Sequence, residues 1–218
     1  MASKKAVVLL SGGLDSAVTL YAAKRKKYNC LCITFDYGQR LRKEINAAKK
    51  IAQSARSPLR VIKINLPWKG SALLDKKIKI PDRRRAKGIP STYVPARNII
   101  FLSFALSCAE AIGAQAIFIG AHAQDYSGYP DCRPDFYRAF KRVISSGTKA
   151  GCEKKKIRVE TPLIHKSKAE IIRLGWRLGV PFELTWSCYR GGRRPCGECD
   201  SCYYRQKGFQ EAQAAKRF

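Results

Sequence analysis

Apolar residues gather in five short runs along the chain: AVVLL at 6–10, CLCITF at 30–35, RVIKI at 60–64, AIFI at 116–119 and IRVE at 157–160. Runs of this length, bounded by turn residues, read as strands buried on both faces. Between them the apolar positions fall at helical spacing, which predicts helices over roughly 15–26, 42–54, 98–112, 135–145 and 168–178. Strands alternating with helices predict an α/β fold with a doubly wound, mainly parallel sheet. Such sheets bind ligands beyond the carboxyl ends of their strands, so the loops after Leu10, Phe35 and Ile119 are where chemistry is expected. The stretch 67–95 fits neither pattern. It holds Lys76, Lys77, Lys79, Arg83, Arg84, Arg85 and Lys87 among prolines and Gly88, and reads as a long, basic, mobile loop.

With 218 residues, 45% of them hydrophobic, the chain can bury a core as one domain over 1–218, including a C-terminal segment at 186–210 treated below. No run approaches the roughly 18 apolar residues of a membrane span. Met1 to Lys5 leads straight into the first strand with no signal-peptide pattern, so a cytoplasmic protein is expected. Charge changes the picture more. Lys and Arg number 43 against 16 Asp and Glu, a net +27 spread along the whole chain. Such a field attracts polyanions, tRNA and the phosphates of ATP among them. A solvated basic surface explains it equally well, because no aromatic-interleaved RNA-binding motif accompanies the charge. Contact with nucleic acid is compatible with the charge and not required by it.

Ser11-Gly12-Gly13-Leu14-Asp15-Ser16 closes the first strand and opens the first helix. Adjacent glycines let the backbone turn tightly and bring its N–H groups onto a phosphate. The helix N-terminus behind them adds a positive dipole end. Ser11 and Ser16 can donate hydroxyl hydrogen bonds, and Asp15 can cap the helix or help hold Mg²⁺. The loop lacks the Gly-Lys-[Ser/Thr] ending of a Walker loop, and its glycines sit too close together for a dinucleotide fingerprint. It resembles the SGGxDS signature of PP-loop ATPases, a resemblance that implies cleavage of ATP between the α and β phosphates.

Nine cysteines divide into five scattered ones (Cys30, Cys32, Cys108, Cys132, Cys152) and the cluster Cys188, Cys196, Cys199 and Cys202. Four thiolates at this spacing suit tetrahedral Zn²⁺, with Gly191, Gly192 and Gly197 permitting the bends and Arg190, Arg193, Arg194 and Arg205 offsetting charge. An Fe–S cluster is the alternative, but a closed set of four favours structural zinc with no open position. Cys30, Cys32 and Cys108 read as core.

Further segments narrow the resemblance. FDYGQR follows the second strand, VPARN opens the third helix, and residues 120–136 read GAHAQDYSGYPDCRPDF. TPL at 161–163 precedes KSKAE at 166–170, and the cysteine tail ends in YRQKGF. In this order, over nearly the whole chain, the set resembles the QueC/ExsB family of 7-cyano-7-deazaguanine synthases. The resemblance implies a ligase that forms C–N bonds. ATP would activate the carboxylate of 7-carboxy-7-deazaguanine as an acyl-adenylate, and ammonia would displace AMP. A second activation would dehydrate the amide to the nitrile preQ0, a queuosine or archaeosine precursor. Relatives suggest a homodimer. With no glutaminase domain visible, free ammonium is the expected nitrogen source.

On that reading Ser11, Asp15, Ser16 and Lys168 carry the chemistry, with Lys168 neutralising the leaving pyrophosphate. Ser167 and Glu170 also form a capping-box pattern, so Lys168 is otherwise a plain helix-start residue. ATP contacts are assigned to Leu10, Gly12, Gly13, Leu14, Ala17, Val18, Thr19, Leu20, Arg97 and Gly120 beside the catalytic loop residues. The base is assigned to Tyr37, Gln39, Arg40, Asp125, Tyr126, Tyr129, Asp131 and Arg133: carboxylate for the guanine-type edge, tyrosine for stacking, arginine for the 7-carboxylate. Cys132 is either a nucleophile or a thiol lining the pocket. His122 and His165 are lone histidines, of which His122 sits on a strand-end loop. Three rivals are weighed. A PP-loop enzyme acting on tRNA suits the charge but lacks a spare cysteine pair and an RNA-binding domain. A basic zinc-ribbon protein leaves the SGGLDS loop unexplained, and other amidating PP-loop enzymes do not match the substrate segment.

Overall fold

The computed structural model describes residues 4–80, 88–122 and 128–215. The apolar runs become five parallel strands, β1 (Lys5–Leu9), β2 (Asn29–Asp36), β3 (Leu59–Lys63), β4 (Ala116–Phe118) and β5 (Arg158–Glu160), in the order β3-β2-β1-β4-β5. β1 is central because both its faces are apolar. Ala6, Val8 and Leu10 enter one core, Val7 and Leu9 the other, which is the period-two alternation of a strand covered on both sides.

Helices α1 (Leu14–Arg25), α2 (Lys43–Ser54), α6 (Lys168–Arg177) and α7 (Asp200–Ala214) contribute to the first core, around Leu20, Ile51, Phe118, Ile171 and Ala212. On the other face lie α3 (Arg97–Ile112), α4 (Pro134–Gly147) and the single turn α5 (Lys149–Cys152), around Leu102, Phe140 and Ile117. Strand order reverses between β1 and β4. The crevice at their carboxyl ends is where a doubly wound sheet binds ligand, and the Ser11–Ser16 loop and Gly120 both lie there.

Two expectations change. The segment 67–95 is anchored in its described parts: Ala72, Ile80 and Val94 are buried, and Ala72 N–H donates to Ser91 O at 2.7 Å. Ala72 and Ile80 pack against Cys188, Cys199 and Cys202, so part of the described segment 71–80 lies against the cysteine cluster. Arg83, Arg84, Arg85 and Lys87 lie outside the described residues. The second change is α7, which the apolar periodicity does not announce. Its buried positions are Cys202, Gly208 and Ala212, small residues that leave no stripe of large side chains. α7 packs closely along α6. A Cβ on Gly208 would lie 2.4 Å from Lys168 Cγ and 3.0 Å from Ile172 Cδ1. Glycine costs a helix interior about 1 kcal/mol, and here it makes room for the stem of Lys168.

Candidate active site

At the end of β1 the chain turns through Gly12, whose φ is +86°. A Cβ there would lie 2.1 Å from Glu44 O and 2.9 Å from Ala48 N, so glycine alone lets the loop rest on the first turns of α2. Gly13 is the N-cap of α1 and no side chain caps it. The first-turn N–H groups of α1 therefore remain available to an anion. Ser11 Oγ donates to Ser16 Oγ at 3.1 Å, and Ser16 Oγ donates to Gly13 O at 2.9 Å, which fixes the hydroxyl edge of the cradle. From the other side Gly120 abuts α1. A Cβ on it would come within 2.9 Å of Asp15 O and 3.0 Å of Ser16 N.

Asp15 does not cap its helix. Both its carboxylate oxygens accept from Lys168 Nζ, at 3.0 and 2.9 Å, and His122 Nε2 lies 3.0 Å from the same ammonium and 3.6 Å from Asp15 Oδ2. Three chain segments thus meet at one point: the start of α1, the loop after β4 and the start of α6. Burial pushes the Asp15 carboxyl up, but Lys168 and His122 together outweigh it and hold the group well below the usual carboxylate range. Lys168 is also the first residue of α6, whose capping box is complete: Ser167 N–H donates to Glu170 Oε2 at 2.7 Å and Glu170 N–H to Ser167 Oγ at 3.3 Å. The two readings of Lys168 are therefore compatible, because the capping box sets the helix start that aims the ammonium into the crevice.

Above this cradle opens a cavity of about 330 Å³. One wall comes from the sheet and the α2–α3 side: Phe35, Tyr37, Gln39, Glu44, Arg97 and Phe101. Arg97 opens α3 immediately after Ala96, a non-glycine residue at φ +54°. Burial pulls the Arg97 pKa down, but Tyr37, Tyr129 and Asp131 outweigh it and raise the value, so the guanidinium stays charged inside the wall. Burial raises Glu44 to about 7 against the pull of Arg97. A second wall carries Thr92, Tyr129 and Cys132, with Tyr129 Oη 2.7 Å from Thr92 Oγ1. The third wall comes from the cysteine-rich tail: Trp186, Ser187, Tyr189, Asp200, Tyr204 and Arg205. Arg205 braces this wall, donating to Thr185 Oγ1 at 2.7 Å, Phe182 O at 2.9 Å and Ser187 Oγ at 3.3 Å. Trp186 N–H donates to Gly12 O at 2.9 Å, which ties the tail to the glycine loop.

The sulfurs of Cys188, Cys196, Cys199 and Cys202 lie within 4.8 Å of one another, with 3.9 Å between Cys196 and Cys202. Tetrahedral bonds of about 2.3 Å would set sulfurs about 3.8 Å apart, so the set fits one metal ion. N–H groups of Cys196 and Cys199 point at Cys188 and Cys196 sulfurs at 3.4 Å. The centre ties the third cavity wall to the start of α7. Of the arginines expected beside it, Arg190 pairs with Glu198 and Arg205 braces the cavity wall.

The sequence-assigned residues fall into three groups. Leu10, Ser11, Gly13, Leu14, Asp15, Ser16, Arg97, Gly120 and Lys168 line the cavity, as do Tyr37, Gln39 and Tyr129. Gln39 is committed locally: its Oε1 accepts from Tyr37 N–H at 2.8 Å and its Nε2 donates to Phe35 O at 2.9 Å. A second group sits elsewhere. Ala17, Val18, Thr19 and Leu20 are fully buried in α1 and face the core. Gly12 lies under α2. Arg40 donates to the carbonyls of Asp75 and Ile78, pinning the anchored segment. Asp131 is buried, accepting from Asn98 N–H at 3.1 Å, so it secures the start of α3. Arg133 is the N-cap of α4. Asp125 and Tyr126, the third group, lie outside the described residues. His122 and Cys132 reach the cavity, Asn98 Nδ2 standing 3.4 Å from Cys132 Sγ. Sequence reasoning missed Glu44, Thr92, Trp186, Tyr189, Asp200 and Tyr204. Glu44, Thr92 and Trp186 stand in no motif, Tyr189, Asp200 and Tyr204 lie in a tail that reads as metal-binding, and α7 itself is silent in the apolar pattern.

Comparison with known proteins gives this cavity a context. A family model described as queuosine biosynthesis protein QueC matches residues 5–213. A 7-cyano-7-deazaguanine synthase of Acetivibrio thermocellus is 52% identical over 210 residues, covering 96% of this chain and 94% of that protein. One from Nostoc is 54% identical over 213 residues, covering 95% and 93%. Among solved structures, NMN synthetase from Francisella tularensis superposes over 97% of this chain and 87% of that one, with a TM-score of 0.50 and 13% identity, a likeness of fold alone. A match over almost the full length, with relatives at half identity, leaves one assignment: the chain belongs to the QueC family of queuosine biosynthesis proteins.

Proposed function

We propose that this cavity converts 7-carboxy-7-deazaguanine, ATP and ammonia into 7-cyano-7-deazaguanine by activating the carboxylate and then the amide. The observation that carries the reading is the junction of Lys168 with Asp15 and His122 beneath an uncapped helix start, facing a cavity that also holds a buried guanidinium. An anion-binding end and a carboxylate-binding end in one space are what acyl-adenylation needs.

Ser11, Gly13 and the first-turn N–H groups of α1 hold the phosphates of ATP, and Mg²⁺ accompanies them. A substrate carboxylate oxygen, oriented by Arg97, attacks the α-phosphorus, and the bond to pyrophosphate breaks. Lys168 stands at the cradle to neutralise charge on the leaving group; a preorganised cation there is worth on the order of 10²–10³ in rate. Ammonia then attacks the acyl carbon and AMP leaves. In the second round the amide oxygen attacks a new α-phosphorus, and loss of AMP with the amide protons leaves the nitrile. Tyr129 offers a face to the deazapurine ring. Asp125 and Tyr126 belong to this reading as base contacts.

The metal we assign as zinc: four thiolates close a tetrahedron without an open position, the arrangement of a structural site. It holds the tail wall of the cavity. The reading also includes a homodimer, checked by light scattering. The test of function is incubation with ATP, Mg²⁺, ammonium and 7-carboxy-7-deazaguanine, following the base by mass spectrometry. The nitrile is expected, with AMP and pyrophosphate. AMP without any change in the base would reject this substrate.

A further inference from the structure

Glu44 is the second residue of α2, at its acidic first turn. By sequence it is an ordinary helix-start carboxylate that complements the dipole. By structure it lines the active cavity, and its carbonyl presses against Gly12 of the phosphate loop. No hydrogen bond or ion pair among the described residues engages its carboxylate. The charged and titratable groups that act across the same wall are Arg97, from α3, and Tyr37, from the loop after β2. Arg97 and Tyr37 also act on each other, and Glu44 is the carboxylate of this wall that lines the cavity. The side chain is half-buried on the cavity lining, so what its carboxylate oxygens accept from is solvent or a ligand in that space.

We propose that Glu44 is the ammonium-binding residue: its carboxylate captures ammonium beside the acyl-adenylate and takes one proton from it. The inference rests on the reading of this cavity as the site of amide formation. Of the reactants, ammonium is a small cation that needs a carboxylate, whereas ATP and the carboxylated base are anions that Glu44 would repel. The other described carboxylates of the cavity are placed differently: Asp15 is engaged by Lys168, and Asp200 stands across the cavity in the tail wall. The step balances. One N–H bond of ammonium breaks and its proton goes to a Glu44 oxygen. The freed lone pair attacks the acyl carbon, and the C–O bond to AMP breaks with its electron pair leaving on the phosphate. The surplus proton of the new amine passes to water. Burial holds the carboxyl near neutrality, at about 7, so it can accept a proton and release it again at neutral pH.

The reaction divides so that this role can be isolated. The test uses full-length zinc-loaded protein and Glu44→Gln, with three measurements. First, amide formation is followed against ammonium concentration; kcat/KM for ammonium should fall on the order of 100-fold, the lower range for loss of a general base. Second, hydroxylamine replaces ammonium. It is already a neutral base near pH 7, and hydroxamate formation should stay within a few-fold of wild type. Third, the amide is supplied directly with ATP; its conversion to nitrile consumes no ammonia and should persist. Equal loss in all three, or loss of substrate-dependent ATP–pyrophosphate exchange, would make Glu44 a structural residue and overturn the proposal. So would an unchanged ammonium dependence. A wild-type protein that forms nitrile from neither carboxylate nor amide would instead remove the reading beneath it.

Discussion

Gly208→Ala separates stability from activity in this fold. Alanine gains about 1 kcal/mol over glycine in a helix interior. Its Cβ, however, would lie 2.4 Å from Lys168 Cγ and 3.1 Å from Lys168 Cβ, whereas ordinary contact begins at 3.4 Å. Either the Lys168 stem retreats by about 1 Å or α6 and α7 move apart. Overpacking of this kind costs about 1–3 kcal/mol, so the net change in stability runs from near zero to a loss of about 2 kcal/mol. For activity the retreat matters more. Lys168 Nζ holds Asp15 with two bonds at 2.9–3.0 Å, and a shift of about 1 Å breaks that geometry. Displacements of this size cost about 100-fold in rate. The assay is substrate-dependent ATP–pyrophosphate exchange beside thermal denaturation. Gly147→Ala is the control, since open space surrounds that glycine at the end of α4. Wild-type exchange in a folded Gly208→Ala protein would refute the claim that α6–α7 packing places a functional lysine.

Lys168→Met should reduce exchange by roughly 10²–10³ and lower the thermal midpoint, because it leaves the Asp15 carboxylate without its ammonium. Gly12→Ala meets the Glu44 carbonyl and requires φ +86°, so loss of soluble protein on expression is expected. Glu44→Gln should stabilise the protein at alkaline pH. The folded-state value near 7 lies above the ordinary 4.5, so the native state is favoured below about 4.5 and loses up to about 3 kcal/mol as pH rises through 7. A thermal midpoint several degrees above wild type at pH 8, with little difference at pH 4, is the expected result. Cys199→Ser should abolish the metal content expected from elemental analysis and, by loosening the tail wall that the centre holds, weaken ligand binding in the cavity.

Much of the fold was legible because its signals are local. β1 is apolar on both faces, the Ser11–Ser16 turn lies between strand and helix, and Ser167 to Glu170 marks the start of α6. What stayed hidden depends on which distant residue a side chain meets. Asp131 carries the same carboxylate whether it reads a base or holds the start of α3, and the Asn98 N–H it accepts at 3.1 Å is not written in the local sequence. Ala17 to Leu20 follow the phosphate loop directly in sequence, but the helix turns them to the core. Glu44 stands in no motif, and only the close approach at Gly12 brings its turn against the cavity. The stretch 67–95 reads as mobile because its basic residues dominate, while Ala72 and Ile80, few and spaced apart, anchor its described part against the cysteines.

The central claim is that one cavity activates first a carboxylate and then an amide. Counting AMP against nitrile tests it most directly, with 7-carboxy-7-deazaguanine and its amide supplied separately. The account predicts nitrile from both, with twice as much AMP per nitrile from the carboxylate as from the amide. Nitrile from the carboxylate alone, or equal AMP from the two substrates, would contradict it.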